Sequence, residues 1–413
     1  MMGNVSKRSA VIAVMLTIAL SLFFLFSVSS FHLAPSTDRA SSPLSTKTKD
    51  FEPKYGCLAN TASDITLSKE QWDQCLEPGQ EASLYLSIVI VTRIDDYAGN
   101  QHHRLQNFID SAYLLAEHTQ TKMELLMIEW NPPKDRRRII DTSRFRRSDF
   151  LTYRIITVPE NIHQALPNIG NAPLHEFEGK NIGIRFARGE FVVCTNQDDI
   201  WSHNFHNAVK SRAFQKNVIY LQHQDRHNMQ VVVVVVMVVV HMHGAHDNLP
   251  PSIVNLPAMP DDDTLYNACH LNDQDWGNFQ LPEPVNLTPD NYLHYGDQAG
   301  DYTMAHRDTW KKVRGYRETG GVAWVDIEFI ETAAWTFDIP VVYSEQGFTC
   351  HQEHENVWEK NPERMTPNQG IHAVEIQRKE KQYVNEEGKW AMLHLDIWDM
   401  GLQCIEFGGG LCW

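Results

Sequence analysis

Two adjacent carboxylates, Asp198 and Asp199, stand just beyond the short apolar run Phe191-Val192-Val193-Cys194. Hard divalent cations take oxygen ligands, commonly one or two carboxylates together with phosphate oxygens and water. A carboxylate pair past the carboxyl end of a buried strand also lies where open α/β sheets place their ligands. The plainer alternative, a polar turn that caps the next helix, fits the same spacing. Other groups able to do chemistry are scattered. Asp95 and Glu129 follow or end apolar runs of their own, Asp326 and Glu328 open a helical pattern, and His351 and His354 share the stretch HQEH. That stretch is not the H-E-x-x-H arrangement that puts two ligands one helical turn apart, which argues against a zinc hydrolase. His241, His243 and His246 have spacings able to hold a metal, although a solvated loop is the preferred reading.

The elements that must position these groups alternate between two periodicities. Leu84–Thr92 is a continuous β-branched and aliphatic run, expected of a strand covered on both faces. The polar Arg93-Ile94-Asp95-Asp96 follows it. Across Arg104–His118, Leu105, Phe108, Ile109, Tyr113 and Leu114 recur at helical spacing. Glu124–Trp130 is a second strand stopped by Asn131-Pro132-Pro133, so Glu129 falls on the same edge as Arg93 and Asp95. Leu151–Val158 is a third. A helix from Lys180, closed by Gly189, then leads into the 191–194 strand. Val325–Phe337 is expected to be helical and Ile339–Tyr343 a strand. Strands alternating with helices argue for an α/β fold with a largely parallel sheet.

The chain has 413 residues, 42% of them hydrophobic, enough for a sizeable core. Its net charge of −16 leaves no global basic field, so nucleic acid is not an expected partner. Residues 11–31 carry no charge and are long enough to span a bilayer as a helix. Lys7 and Arg8 precede them, which places residues 1–10 in the cytosol and the remainder across the membrane. A cleaved signal peptide is the alternative. Residues 32–80, rich in Ser, Thr, Pro and Lys, read as a stem. A globular domain is expected over 81–375, with a low-complexity insertion at about 228–290 that includes the run Val231–Val240, and a tail over 376–413. Among seven cysteines there is no C-x-x-C pair. Cys57 with Cys75, and Cys404 with Cys412, are near enough in sequence for local disulfides, while Cys194 is expected to be a buried thiol. Asn286-Leu287-Thr288 matches a glycosylation acceptor.

The stretch KNIGIRFARGEFVVCTNQDDIW, residues 180–201, resembles the central motif of family 2 glycosyltransferases of the GT-A fold. Lys180, Asn181, Gly183, Ala187, Gly189, Glu190 and Phe191 keep the family's spacing, and Asp198-Asp199-Ile200-Trp201 ends it. One position departs: Asn196 stands where the first aspartate of the D-x-D motif would be. An amide can accept a hydrogen bond or bind a metal through its carbonyl oxygen, but it brings no charge. The segment 300–316 with Val325-Asp326 is similar to the family's acceptor side, and the resemblance spans about 83 to 355.

That resemblance implies a GT-A, Rossmann-like domain behind a single transmembrane helix, with type II topology in the Golgi or ER membrane. It implies transfer of a sugar from a nucleotide-sugar donor, UDP-linked in the first instance, to a glycan, protein or lipid hydroxyl. Mn²⁺ or Mg²⁺ would be held by Asp198, Asp199, His351 and His354. Thr92, Arg93, Asp95, Glu129, Lys180, Asn181, Arg185, Asn196 and Asp198 would contact the nucleotide sugar. Asp326 would be the general base, with Glu328 as its substitute, and Trp201, Trp324 and Trp358 could stack on sugar faces. The alternative is a non-catalytic lumenal protein that binds a nucleotide sugar or glycan. Oligomeric state is not legible.

Overall fold

The computed structural model describes residues 69–78, 81–167, 171–222, 253–269, 280–296, 300–320, 325–344, 347–354 and 385–408. The expected anchor at 11–31, residues 32–68 of the stem, the Val231–Val240 run and His241, His243 and His246 lie outside them. Among the described residues no helix is long and apolar enough to cross a membrane.

The first strand, β1 (Leu84–Thr92), is mostly apolar because both its faces are covered. Val89 and Val91 join one hydrophobic cluster, and Leu86, Ile88 and Ile90 the other. β2 (Met123–Trp130) and β4 (Gly189–Thr195) divide in the same way, Ile128 and Val192 to the first cluster and Met127 and Val193 to the second. β1 pairs in parallel with β2 and with β4, and β2 in parallel with β3 (Leu151–Val158). Beyond β4 lie β8 (Tyr302–His306), which is antiparallel to it, then β6 (Ile219–Gln222) and β9 (Val341–Ser344). β11 (Gln403–Phe407) closes the opposite edge against β3. The order β11-β3-β2-β1-β4-β8-β6-β9 makes a mixed, mostly parallel sheet, as expected. A smaller sheet pairs β5 (Asp199–Trp201), β10 (Thr349–Gln352) and β7 (Ile253–Val254) in the order β5-β10-β7.

Helix α1 is Lys69–Leu76, and α2, Gln101–Thr119, supplies Leu105, Phe108 and Ile109 to one face of the large sheet. On the other face α3, Glu176–Phe186, contributes Phe177, Ile182 and Ile184. The helix stops at Phe186 rather than at Gly189, which is the first residue of β4. Gly189 serves close approach instead of capping, since a Cβ there would meet the Ser87 backbone nitrogen at 2.4 Å. Likewise a Cβ on Gly183 would reach Val89 at 2.3 Å, so α3 rests directly on β1.

The core draws in chain from both sides of 81–375. Trp72, Cys75 and Leu76 of α1 and Trp390, Met392 and Cys404 near the C-terminus all belong to the α3-side cluster. The segment expected to be a low-complexity insertion contributes β7 and a short helix, α5 (Asp262–Tyr266), capped by the Asp261 carboxylate, which accepts from Thr264 N at 2.8 Å. Neither expected local disulfide forms. Cys75 is bonded to Cys404 and Cys269 to Cys350. Sequence proximity loses here because α1 packs against β11, which brings positions 329 residues apart together. Cys194 is a free buried thiol, as expected, and burial pushes it up to about 12.

A buried ion pair and a buried carboxyl lie in this core. Glu124 on β2 and Arg154 on β3 form a fully buried ion pair at 2.7 Å. Glu178 on α3 is 1% exposed, and burial pushes its carboxyl up to about 8 despite a hydrogen bond from Gly320 N. It therefore keeps its proton in the folded chain across a range where the unfolded chain, with its usual value of 4.5, has lost it. That stabilisation is complete below the unfolded value and is lost as pH rises through the folded one. Stability is expected to fall between about pH 5 and 8, and Glu178→Gln to flatten the slope. Denaturant midpoints measured across that range check it, and an unchanged slope in the variant would refute the assignment.

Candidate active site

Strand pairing assembles the site. Asp198 follows β4, and Asp199 opens β5, where the antiparallel pairing with β10 sets His351 directly opposite it. The helix that follows, α4 (His203–Lys210), is capped by Ser202, whose hydroxyl accepts from Phe205 N, so the carboxylates are not the cap. Both aspartates are buried, at 4% and 1% exposure. His354 Nε2 lies 3.2 Å from Asp198 Oδ2, and His351 Nδ1 lies 3.3 Å from Asp199 Oδ1. The Nε2 atoms of the two histidines are 2.9 Å apart. That is the spacing of two neighbouring ligands each about 2.1 Å from one ion. Asp198, His351 and His354 can therefore hold a divalent cation together, as the shared reach of their ligand atoms within 4.8 Å also indicates.

The electrostatics favour an ionised Asp198. Burial opposes its charge, but His351, His354 and Arg104 outweigh burial and hold its carboxyl well below the usual carboxylate range. Arg104 is 4% exposed and directs Nη1 at Asp198 Oδ2 from 3.7 Å. Its Nη2 is bonded to Tyr97 O, while Nη1 and Nε make no hydrogen bond. A buried guanidinium with two spare donors beside a cation site suits a ligand that brings its own anionic oxygens.

Asp199 is held differently. Its Oδ2 accepts from the Thr195 hydroxyl at 2.5 Å and from Asn196 N at 3.2 Å, which leaves Oδ1 facing His351. Lys180 is buried and donates to Glu176 at 2.6 Å, to the Asn196 amide oxygen at 3.3 Å and to Gly300 O at 3.4 Å. At the end of β1, the Thr92 hydroxyl bonds Gln197. Arg93 pairs with Asp95 at 2.8 Å and donates to Asn131 O, with both charged side chains partly exposed.

Other residues expected at the site are engaged elsewhere. The Glu129 carboxylate, expected on a base, accepts from Ile139 N at 2.9 Å and from the Thr157 hydroxyl at 3.0 Å, and pairs with Arg138 at 2.5 Å. Its bonds stitch β2 to β3 and to the chain that follows β2. Asn181, expected on the nucleotide sugar, brackets the turn after α6 (Arg307–Val313), accepting from Tyr316 N and donating to Tyr316 O. Arg185, expected near the diphosphate, donates to Ala391 O at 2.8 Å. Glu328, expected as the substitute base, is paired with Arg317 in the interior. Trp201 is 1% exposed and stacks on Phe205 in the core, while Trp324 and Trp358 lie outside the described residues.

Asp326 opens α7 (Val325–Glu331) and is 8% exposed. Its charge is felt by the Tyr316 hydroxyl, as is that of Glu176. Two participants were not anticipated from the sequence. Arg104 gave no signal beyond a charge in the first turn of a helix. Asp301 sits beside His351 and Asn196 because β8 runs antiparallel to β4, and no spacing in the sequence announces that.

β10 is anchored by the Cys269–Cys350 bond, one residue from His351. Closing a loop of 81 residues is worth about 4.5 kcal/mol. A Cys269→Ser/Cys350→Ser variant is expected to lose about that much stability and to bind metal more weakly. Melting and Mn²⁺ titration check both. Unchanged affinity would mean that strand pairing alone fixes His351.

No family model matches the chain, and no curated protein does. Solved structures return S. aureus TarS 1-349 in complex with UDP, at TM-score 0.37 and 11% identity over 72% of this chain and 70% of that one. Glucosyl-3-phosphoglycerate synthase from Mycobacterium tuberculosis, in complex with phosphoglyceric acid, gives TM-score 0.36 and 12% identity over 78% and 87%. A mycobacterial protein gives 0.36 and 14% over 78% and 82%. At these TM-scores the likenesses carry no argument, and the reading of the site rests on its geometry.

Proposed function

We propose that the chain is a metal-dependent glycosyltransferase of the GT-A, family 2-like type, moving a sugar from a nucleotide diphosphate to a hydroxyl acceptor. The observation that carries this reading is the meeting of Asp198, His351 and His354 at the carboxyl end of β4. That cluster directly follows the 180–201 stretch whose spacing resembles the family motif. A divalent cation bound there supplies charge stabilisation for a departing diphosphate. Imidazole in the ligand set favours Mn²⁺ over Mg²⁺.

Each side chain then has a physical task. Asp198 stays ionised to hold the cation, and Arg104 offers its spare donors to phosphate oxygens. Lys180 donates to the Asn196 amide oxygen. Arg93 and Asp95 present polar atoms to the nucleoside at the β1 edge. Asp326 takes the proton of the acceptor hydroxyl, as an inverting transfer requires. The donor is proposed to be UDP-linked and the acceptor a glycan, protein or lipid. The setting is proposed to be the Golgi or ER lumen, behind a type II anchor at 11–31. Two long-range disulfides and an exposed Asn286 in a glycosylation acceptor pattern support an oxidising, secretory compartment.

The test is release of nucleoside diphosphate from a panel of nucleotide sugars, with and without Mn²⁺. Metal-dependent release with one donor is the expected result. A chain that neither binds nor turns over any of them defeats the reading. Binding without turnover would favour a non-catalytic lumenal receptor, the reading that the uncharged Asn196 supports.

A further inference from the structure

We propose that Asp301 supplies, from the neighbouring strand, the carboxylate that position 196 lacks, and that it acts on the bound cation by holding His351. The inference rests on the metal site of the reading above. Thr195 pairs with Tyr302 across the antiparallel β4–β8 ladder, which puts position 196 opposite position 301. The Asn196 amide nitrogen donates to Asp301 Oδ1, and its oxygen accepts from Lys180 Nζ at 3.3 Å. Only an amide satisfies both neighbours. An aspartate at 196 would set two carboxylates in contact, whereas asparagine joins the lysine to Asp301 with both ends bonded.

Asp301 Oδ2 lies 3.8 Å from His351 Nδ1, on the same side of the ring as Asp199 Oδ1. The opposite nitrogen, Nε2, faces His354. Asp199 Oδ1 is within hydrogen-bond reach of Nδ1, and Asp301 Oδ2 adds a second negative charge on that side. Together they keep the proton on that nitrogen, fix the ring and raise the basicity of Nε2. The feature is not an acidic cluster alone. Two imidazole nitrogens converge at ligand spacing, and the buried Arg104 points unbonded donors at Asp198. Asp301 is thus a positioning residue, 2% exposed.

The experiment measures Mn²⁺ affinity of the full-length chain by electron paramagnetic resonance, without substrate. Asp301→Asn, which is isosteric and preserves an acceptor for Asn196, is expected to weaken Mn²⁺ binding about 10- to 100-fold. Its melting temperature without metal should not change. The exchange variant Asn196→Asp/Asp301→Asn returns the charge within one hydrogen-bond length and should restore most of the affinity. Wild-type affinity in Asp301→Asn overturns the proposal, and so does a loss that the exchange fails to recover. A metal-free melting temperature that falls in step with affinity overturns it as well, because that marks a fold defect. If the unaltered chain binds no Mn²⁺, the metal site itself is refuted and this proposal with it.

Discussion

Asp198→Asn is expected to abolish metal-dependent turnover and to destabilise the metal-free protein at once. The residue is 4% exposed and faces His354 at 3.2 Å and Arg104 at 3.7 Å. Removing its charge takes away the main anionic ligand of the proposed cation, so kcat should fall by at least about a hundredfold to a thousandfold. It also takes the nearest counter-charge from the buried Arg104 guanidinium, a defect that costs about 3 kcal/mol. Both effects should appear in one variant, one read by diphosphate release and the other by denaturant unfolding without metal. The acid limb follows from the same contacts. A carboxyl held below its unfolded value contributes stability at neutral pH and loses it as pH falls through the folded value. The wild-type chain should therefore lose stability in acid more steeply than Asp198→Asn. Parallel acid limbs, or intact turnover, would remove Asp198 from the site.

The second large effect belongs to the core. Arg154→Met should destabilise the domain by about 3–5 kcal/mol, because it strands the Glu124 carboxylate in an apolar interior. Neither side chain of the pair is exposed to solvent. Arg154 also donates to Phe186 O at 2.8 Å and to Cys75 O at 2.5 Å, tying β3 to the end of α3 and to α1. Glu124 in turn accepts from the Ser87 hydroxyl and from Arg188 N. The cycle is completed by Glu124→Gln and by the double variant. With both charges gone, much of the loss should be recovered, since the penalty arises from one unpaired charge rather than from the absence of the pair. If the double variant is as unstable as the sum of the singles, the bonds to Phe186 O and Cys75 O carry the stability instead.

Much of the scaffold was legible because its signals are local. The apolar run 84–92 is a strand with the bounds its pattern suggested, and so is 151–158. A strand buried on both faces needs side chains that fill both faces, and that requirement is written residue by residue. The helical spacing from Leu105 to Leu114 gave α2 for the same reason. The helix end was misplaced at Gly189, because a glycine that caps a helix and one that lets two strands meet look alike in sequence. The disulfides were mispaired because proximity along the chain says nothing about which strands share an edge.

For the site, the sequence alone determined which residues can do chemistry and that Asp198 follows a core strand. It also fixed the amide at position 196. Tertiary structure alone decided their partners. β10 had to pair with β5 before His351 could meet Asp199, and β8 had to run beside β4 before Asp301 could face Asn196. The same packing gave Glu129, Asn181, Arg185 and Glu328 partners within the protein. The physical reason is reach: side-chain type and periodicity are set locally, whereas a charge is defined by neighbours about 4 Å away that the chain delivers from more than a hundred residues off.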